Sequence, residues 1–190
     1  MGIAQLRAPS KDDAMRTVFG DESYATHGGV GFYAVGLVSI SNYDIESARD
    51  LARAMRPSGK ARIHFHDVRA DQRVALALEV ARGPWKATAW VAEASPRQQE
   101  RVRRILLKHA SFGKHSETWI LESRSKSQDR NDVRLFASVF VDGRRNPVQV
   151  LHSLPSEEPL LWMADVVASA TATGMARGLE TPFATELLHL

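Results

Sequence analysis

Isolated carboxylates stand at the ends of apolar runs, where a hydrolytic metal centre would need them. Asp21 and Glu22 close the run Thr17-Val18-Phe19-Gly20, and Glu122 directly follows Trp119-Ile120-Leu121. Asp165 interrupts the apolar stretch from Leu160 to Ala168. Converging oxygen ligands suit Mg²⁺ or Mn²⁺. Two such ions about 4 Å apart can activate a water and stabilise the leaving oxygen of a phosphodiester. An acid in so apolar a helix is costly to bury unless it is paired or holds a metal. One and two turns from Asp165 lie Glu158, Leu161, Ser169 and Ala172, a narrow and partly polar stripe, while Leu160, Met163 and Val167 take the core side. Glu22 and Glu158 are candidates for a fourth acid. An ordinary structural explanation stands beside this one: Asp21-Glu22 as turn acids, Glu122 paired with Arg124, Asp165 on a solvent stripe. Spacing alone favours that explanation, because structural ion pairs also place acids near clefts.

Other polar residues add weaker signals. His64 and His66, two apart, would share one face of a strand. No third ligand at a convincing spacing makes them a zinc site, although His64 could orient a phosphate or shuttle a proton. Arg124, Lys126 and Arg130 follow Glu122 closely, and Arg124 and Lys126 are candidate phosphate contacts if Glu122 sits at a metal centre. Arg97, Arg101, Arg104 and Lys108 recur at helical spacing and form one basic stripe, interrupted in sign by Glu100. A solvated helix face is the commoner origin of such a stripe, and a nucleic-acid backbone contact is the alternative. Trp85, Trp90, Trp119 and Trp162 lie in or beside apolar segments and read as core. No P-loop, G-x-S-x-G or H-E-x-x-H occurs. Gly29-x-Gly31-x-x-Ala34 matches a dinucleotide fingerprint in letters only, since it precedes a strand instead of following one.

The elements that must position these residues alternate along the chain. Met15–Gly20 and Gly31–Ile40 read as strands of a hairpin around His27-Gly28-Gly29. Asp44–Met55 and Ala70–Ala81 show helical periodicity, with Ala61–Val68 read as a strand between them. Lys86–Ala92 is a strand and Pro96–Ala110 a helix capped by Ser95. Ser116–Glu122 is a strand, Asp129–Val141 a helix, Asp142-Gly143 a turn and Pro147–Leu151 a short strand. Glu158–Ala176 is a strongly periodic helix, and Thr181-Pro182 would open a short terminal helix. After the hairpin, which we expect at one edge, this order predicts an α/β domain with a largely parallel sheet. The expected division is a flexible segment 1–13, one domain 14–178 and a short helix 179–190.

Composition bounds the rest. The 190 residues carry 25 Lys plus Arg against 22 Asp plus Glu, with 44% hydrophobic residues, the profile of an ordinary globular domain. Arg supplies 19 of the 25 basic residues, which base composition of the genome explains as readily as phosphate recognition does. The absence of Cys removes thiolate chemistry and Cys-ligated zinc, and fits a cytoplasmic setting. No apolar stretch reaches the length of about 20 residues that a membrane span needs, so no membrane partner is expected.

The order of these pieces resembles a large bacterial family, domain of unknown function 3800, which is grouped with ribonuclease H-like folds. The likeness rests on Val18-Phe19-Gly20-Asp21-Glu22-Ser23 followed by a hairpin strand, and on Ile63-His64-Phe65-His66-Asp67 before a helix. It continues in Ile120-Leu121-Glu122-Ser123-Arg124 and in Ala164-Asp165 within an apolar helix, so that it spans roughly Val18 to Ala170. The chain departs from the family at Arg62, where many members carry an acid, at Glu122, commonly Asp, and at Tyr24, usually Gly. The resemblance implies a ribonuclease H-like mixed sheet with an N-terminal β-hairpin and helices on both faces. It also implies a metal-dependent nuclease or phosphodiesterase acting on RNA or DNA. Asp21, Glu122 and Asp165 would hold Mg²⁺ or Mn²⁺, with Glu22 and His64 as further catalytic groups. A non-catalytic binding or assembly module on the same fold is the alternative, with Phe183–Leu190 as a docking tail and a homodimer as one arrangement.

Overall fold

The computed structural model of the chain describes residues 15–111, 118–139 and 148–190. Segment 1–13, the Asp142-Gly143 turn and the expected ends of neighbouring elements at Ser116, Val141 and Pro147 lie outside them. Strands β1 (Arg16–His27) and β2 (Val30–Ser41) pair antiparallel along their whole length, from Arg16↔Ser41 to His27↔Val30. Their two-residue turn needs positive φ at both positions, and Gly28 and Gly29 supply it at 59° and 86°. Strand β3 (Lys86–Glu93) adds antiparallel to β2, while β4 (Thr118–Glu122) adds parallel to β1. Strand β5 (Gln149–Ser153) then lies parallel beside β4, and β6 (Ala184–Leu188) parallel beside β3. The six-stranded mixed sheet runs β5-β4-β1-β2-β3-β6. The hairpin is therefore the centre of the sheet and not its edge, because both its outer sides accept further strands.

Helices cover both faces. Helices α1 (Ile45–Ala54), α2 (Ala70–Ala81) and α5 (Leu160–Arg177) pack with Phe19, Val38 and Ile40 on one face. Helices α3 (Gln99–Ser111) and α4 (Lys126–Ser138) pack with Val18, Val35 and Leu37 on the other. Strand alternation sorts the side chains: Phe19, Asp21 and Ser23 face α5, whereas Val18 and Glu22 face α3. Along β4, Trp119 and Leu121 join the α3–α4 core and Ile120 the opposite one, which puts Glu122 on the α5 face. Helix α5 is buried almost all round, consistent with its apolar composition. It lies so close to β2 that a Cβ at Gly36 would overlap the Ala164 carbonyl oxygen and the Ala168 nitrogen. Gly36 is the β2 partner of Asp21. No helix among the described residues is long and apolar enough to cross a membrane.

Three expectations need correction. The stretch 61–68 is no strand but an extended loop closed by a 3-10 turn at Phe65–Asp67. Ile63 and Phe65 are buried while Arg62 and His66 are exposed. This two-residue alternation imitates a strand, but the backbone is satisfied locally and by side chains. The Asp67 and Val68 amides donate to the His64 and Phe65 carbonyls, and Arg73 donates to the carbonyls of Val68 and His66. Residues 179–190 form no terminal helix: after Gly178 ends α5 in the left-handed region (φ 65°), the chain pairs as β6 with the open edge of β3. Helix α4 starts three residues before Asp129, because Ser125 and Gln128 form a capping box.

The close seating of α5 makes Gly36→Ala an overpacking change against main-chain atoms that no rotamer can relieve. It should cost at least about 2 kcal/mol in chemical denaturation.

Candidate active site

The acids of β1, β4 and α5 meet at one cleft. Register brings Gly20 beside Leu121 in the parallel pair β1–β4, so Asp21 and Glu122, each one residue further on, are neighbours on the α5 face. Helix α5 lays Asp165 over them. The cleft, about 150 Å³, is lined by Asp21, Glu22, Glu122 and Asp165 together with Arg62 and His64 from the 3-10 loop. A larger cavity of about 580 Å³, between the hairpin tip and the C-terminal residues, has Glu93 as its one carboxylate side chain and offers no convergent set of groups.

Each acid has a distinct environment. Asp21 is buried, and its Oδ1 accepts from the Glu22 amide at 2.7 Å. The Glu122 carboxyl stands beside it across the β1–β4 pair. Burial pushes the Asp21 pKa well above its ordinary value, and the hydrogen bond and charge of Glu122 and the charges of Glu22 and Asp165 push it further. Asp165 does not face open water: its side chain is 14% exposed. Its Oδ2 accepts from the Phe65 amide at 2.9 Å, and its Oδ1 from the Ser169 hydroxyl at 2.9 Å. That hydroxyl lies 3.0 Å from the Ser23 hydroxyl of β1. His64 Nδ1 stands 3.3 Å from Asp165 Oδ2. Asp165 thus ties α5 to the 3-10 loop and, through Ser169, to the central strand.

No family model matches this chain, and no curated protein does. The chemistry of the cleft has to be read from its own groups.

Glu22, expected beside Asp21 as a catalytic acid, reaches the cleft from the opposite face of the strand. There it pairs with Arg103 (3.1 Å) and Arg124 (3.5 Å). Arg103 is 1% exposed and also forms a two-pronged pair with the equally buried Asp132. Burial opposes the Arg103 charge, but Glu22 and Asp132 outweigh it and raise its pKa. Burial likewise opposes the Asp132 charge, and hydrogen bonds from His152 and Arg103 reverse that, holding its carboxyl below the usual aspartate range. Nothing in the sequence pattern singled out Arg103, since it sits in a helix rich in solvated arginines. Arg124, expected to contact phosphate, is instead drawn to Glu22, Glu100 (2.9 Å) and Asp132 (3.5 Å). Lys126 is exposed on the first turn of α4 and does not line the cleft. Glu158 is not part of the cleft lining: its side chain pairs with Arg49 and accepts from the Leu160 amide at the start of α5.

Among the described residues, one group of three potential ligands has all its ligand atoms within 4.8 Å of one another: Asp129, Asp132 and His152. Its lone pairs are already in use. Asp132 binds Arg103, and Asp129 accepts from the Ser123 hydroxyl and the Arg124 amide. Two guanidinium groups beside this trio repel a cation. Asp21 and Glu122 of the β1–β4–α5 cleft have no such cationic partners among the described residues, although the acids of that cleft are more widely spread.

Two outcomes follow. In metal-free protein, Asp21 binds its proton more tightly folded than unfolded, so its titration lowers stability as pH rises from the ordinary aspartate pKa through the raised one. Asp21→Asn should remove that fall and stabilise the protein at pH 7 by about 1–3 kcal/mol, read from urea titrations at pH 4 to 8. On the other face, Arg103→Met leaves buried carboxylates unpaired and should cost about 3–5 kcal/mol. Arg103→Met with Asp132→Leu should recover part of this loss in the same assay.

Proposed function

We propose that the chain is a metal-dependent nuclease or phosphodiesterase with a ribonuclease H-like fold, acting on RNA or DNA at the cleft of Asp21, Glu122 and Asp165. The observation that carries this reading is the meeting of buried Asp21 with half-buried Glu122 and Asp165 in one cleft open to solvent. Such a set is electrostatically incomplete, and a hard dication completes it. The oxygen-only donors of the three acids suit Mg²⁺ or Mn²⁺ and not a thiophilic metal. A dication there would lower the pKa of a water and neutralise charge on a phosphodiester under attack.

The chain's own residues supply the rest. Asp21 and Glu122 are held by adjacent parallel strands and need no rearrangement to face the same point. Asp165 is fixed by Ser169 and the Phe65 amide, so its remaining lone pairs keep their direction. His64, beside Asp165, is the cleft group whose side-chain type exchanges protons near neutral pH. The mixed sheet around a central N-terminal hairpin, with helices on both faces, supports the fold part of the proposal. So does the likeness to the domain of unknown function 3800 family.

Short RNA and DNA substrates should be cleaved only with Mg²⁺ or Mn²⁺, at fixed salt because phosphate affinity depends steeply on it. Asp21→Asn and Asp165→Asn should each slow cleavage by at least about 100-fold, more than loss of an outer-sphere partner commonly costs. Calorimetry with Mn²⁺ decides the case without a substrate. If the wild type gives no binding heat, or if both variants bind as it does, a non-catalytic binding module becomes the better description.

A further inference from the structure

Arg62 lines the acid cleft, yet its guanidinium makes no ion pair or hydrogen bond with the described residues. Solvated arginines such as Arg101 and Arg104 share that state, but Arg62 is the one arginine in the cleft lining. Arg49, Arg53, Arg69, Arg103 and Arg124 each pair with at least one carboxylate, and Arg73 is anchored on two carbonyls. The backbone that carries Arg62 is not loose. Ile63 is buried, the Phe65 amide is tied to Asp165, and His64 stands against the same carboxylate. An exposed, unpartnered guanidinium is thus tethered by its neighbours at the rim of a cleft that holds Asp21, Glu122 and Asp165.

We infer that the cleft takes a single divalent ion and that Arg62 supplies the second positive centre, binding a non-bridging oxygen of the phosphodiester. This rests on the metal-dependent reading above and narrows it from two ions to one ion and one guanidinium. Charge supports the narrower form. Glu22 is neutralised by Arg103 and Arg124, which leaves Asp21, Glu122 and Asp165. One dication and one guanidinium balance those three carboxylates, whereas a second dication beside the guanidinium would leave an excess of positive charge that the singly charged diester does not cancel. The planar fork of Arg matches a phosphate oxygen pair, and an arginine without an internal partner loses none when the phosphate arrives.

The test uses the full-length chain, Mn²⁺ and thymidylyl-(3′→5′)-thymidine as the minimal diester. Calorimetry of the wild type should give one Mn²⁺ per chain. Mn²⁺ on the protein should broaden the ³¹P resonance of the diester. Arg62→Ala should keep one Mn²⁺ per chain with affinity within about threefold, and weaken the diester by about 10- to 100-fold, the worth of a charge-assisted hydrogen bond. Arg62→Lys should restore part of that loss. Two Mn²⁺ per wild-type chain, or unchanged diester affinity in Arg62→Ala, would overturn the inference while leaving the metal site standing. A wild type that binds no Mn²⁺ would overturn the metal reading itself.

Discussion

The direct contact of α5 with the backbone of the central hairpin is the constraint on which the rest depends. A helix resting on ordinary side chains stands well away from a sheet. Gly36 removes the side chain at the crossing point, so the Ala164–Ala168 turn of α5 meets β2 main chain. Asp165 lies in that same turn, and Asp21 is the cross-strand partner of Gly36. The closeness that seals the core therefore also carries an acid from a buried helix to within electrostatic reach of the strand acids. Side chains of two atoms beyond Cβ, such as Asp21 and Asp165, could not meet across a wider gap.

Two clusters of acids, back to back across β1, solve the same problem in opposite ways. On the α3–α4 face, Glu22, Asp129 and Asp132 are satisfied by Arg103, Arg124 and His152. Removing charge from water is offset there by fixed counter-charges, and the result is structural. On the α5 face, Asp21 and Glu122 stand side by side with no cationic partner among the described residues, and Asp165 is held by the Phe65 amide, the Ser169 hydroxyl and His64. The first cluster is complete as folded. The second sets a buried acid among other acids, which costs stability and is an arrangement that clusters at functional sites. Glu22 joins the two, since alternation turns it away from Asp21 while its carboxylate still reaches the cleft rim.

Much of this was legible from residues alone, and the failures have physical causes. Period-two and helical patterns located the hairpin, β3, β4, β5 and all five helices, although not every boundary, because most of those segments bury one consistent face or stripe. Loop 61–68 was misread since burying Ile63 and Phe65 from an extended chain produces the same alternation as a strand. The last segment was misread since Thr-Pro opens helices and β6 owes its strand state to the vacant edge of β3, a tertiary fact. The meeting of Asp21, Glu122 and Asp165 was suggested by their positions at strand ends and inside an apolar helix. Their separation from Glu158 was not, because the pairing of Glu158 with Arg49 joins residues 109 apart in sequence. Arg103 was invisible for a similar reason: its neighbours Arg101 and Arg104 are solvated, and only the fold turns Arg103 inward.

The position of the cleft follows from how chains leave the sheet. β4 ends at Glu122, and α4 departs at once toward the α3 face, its first turn fixed by the Ser125 capping box. β1 continues beyond Asp21 to His27, paired on its other side with β2 but no longer with β4. The carboxyl end of β4 thus opens a notch beside a strand that carries on, roofed on one side by α5 and walled by the 3-10 loop. Ligand sites in open α/β sheets favour such strand ends, where departing connections leave backbone and side chains uncovered. In this notch the uncovered groups are carboxylates below and an unpaired guanidinium on the rim. An anionic ligand alone would satisfy only the guanidinium and a cation alone only the carboxylates, which is why the proposed pairing of a cation with a phosphodiester suits the notch.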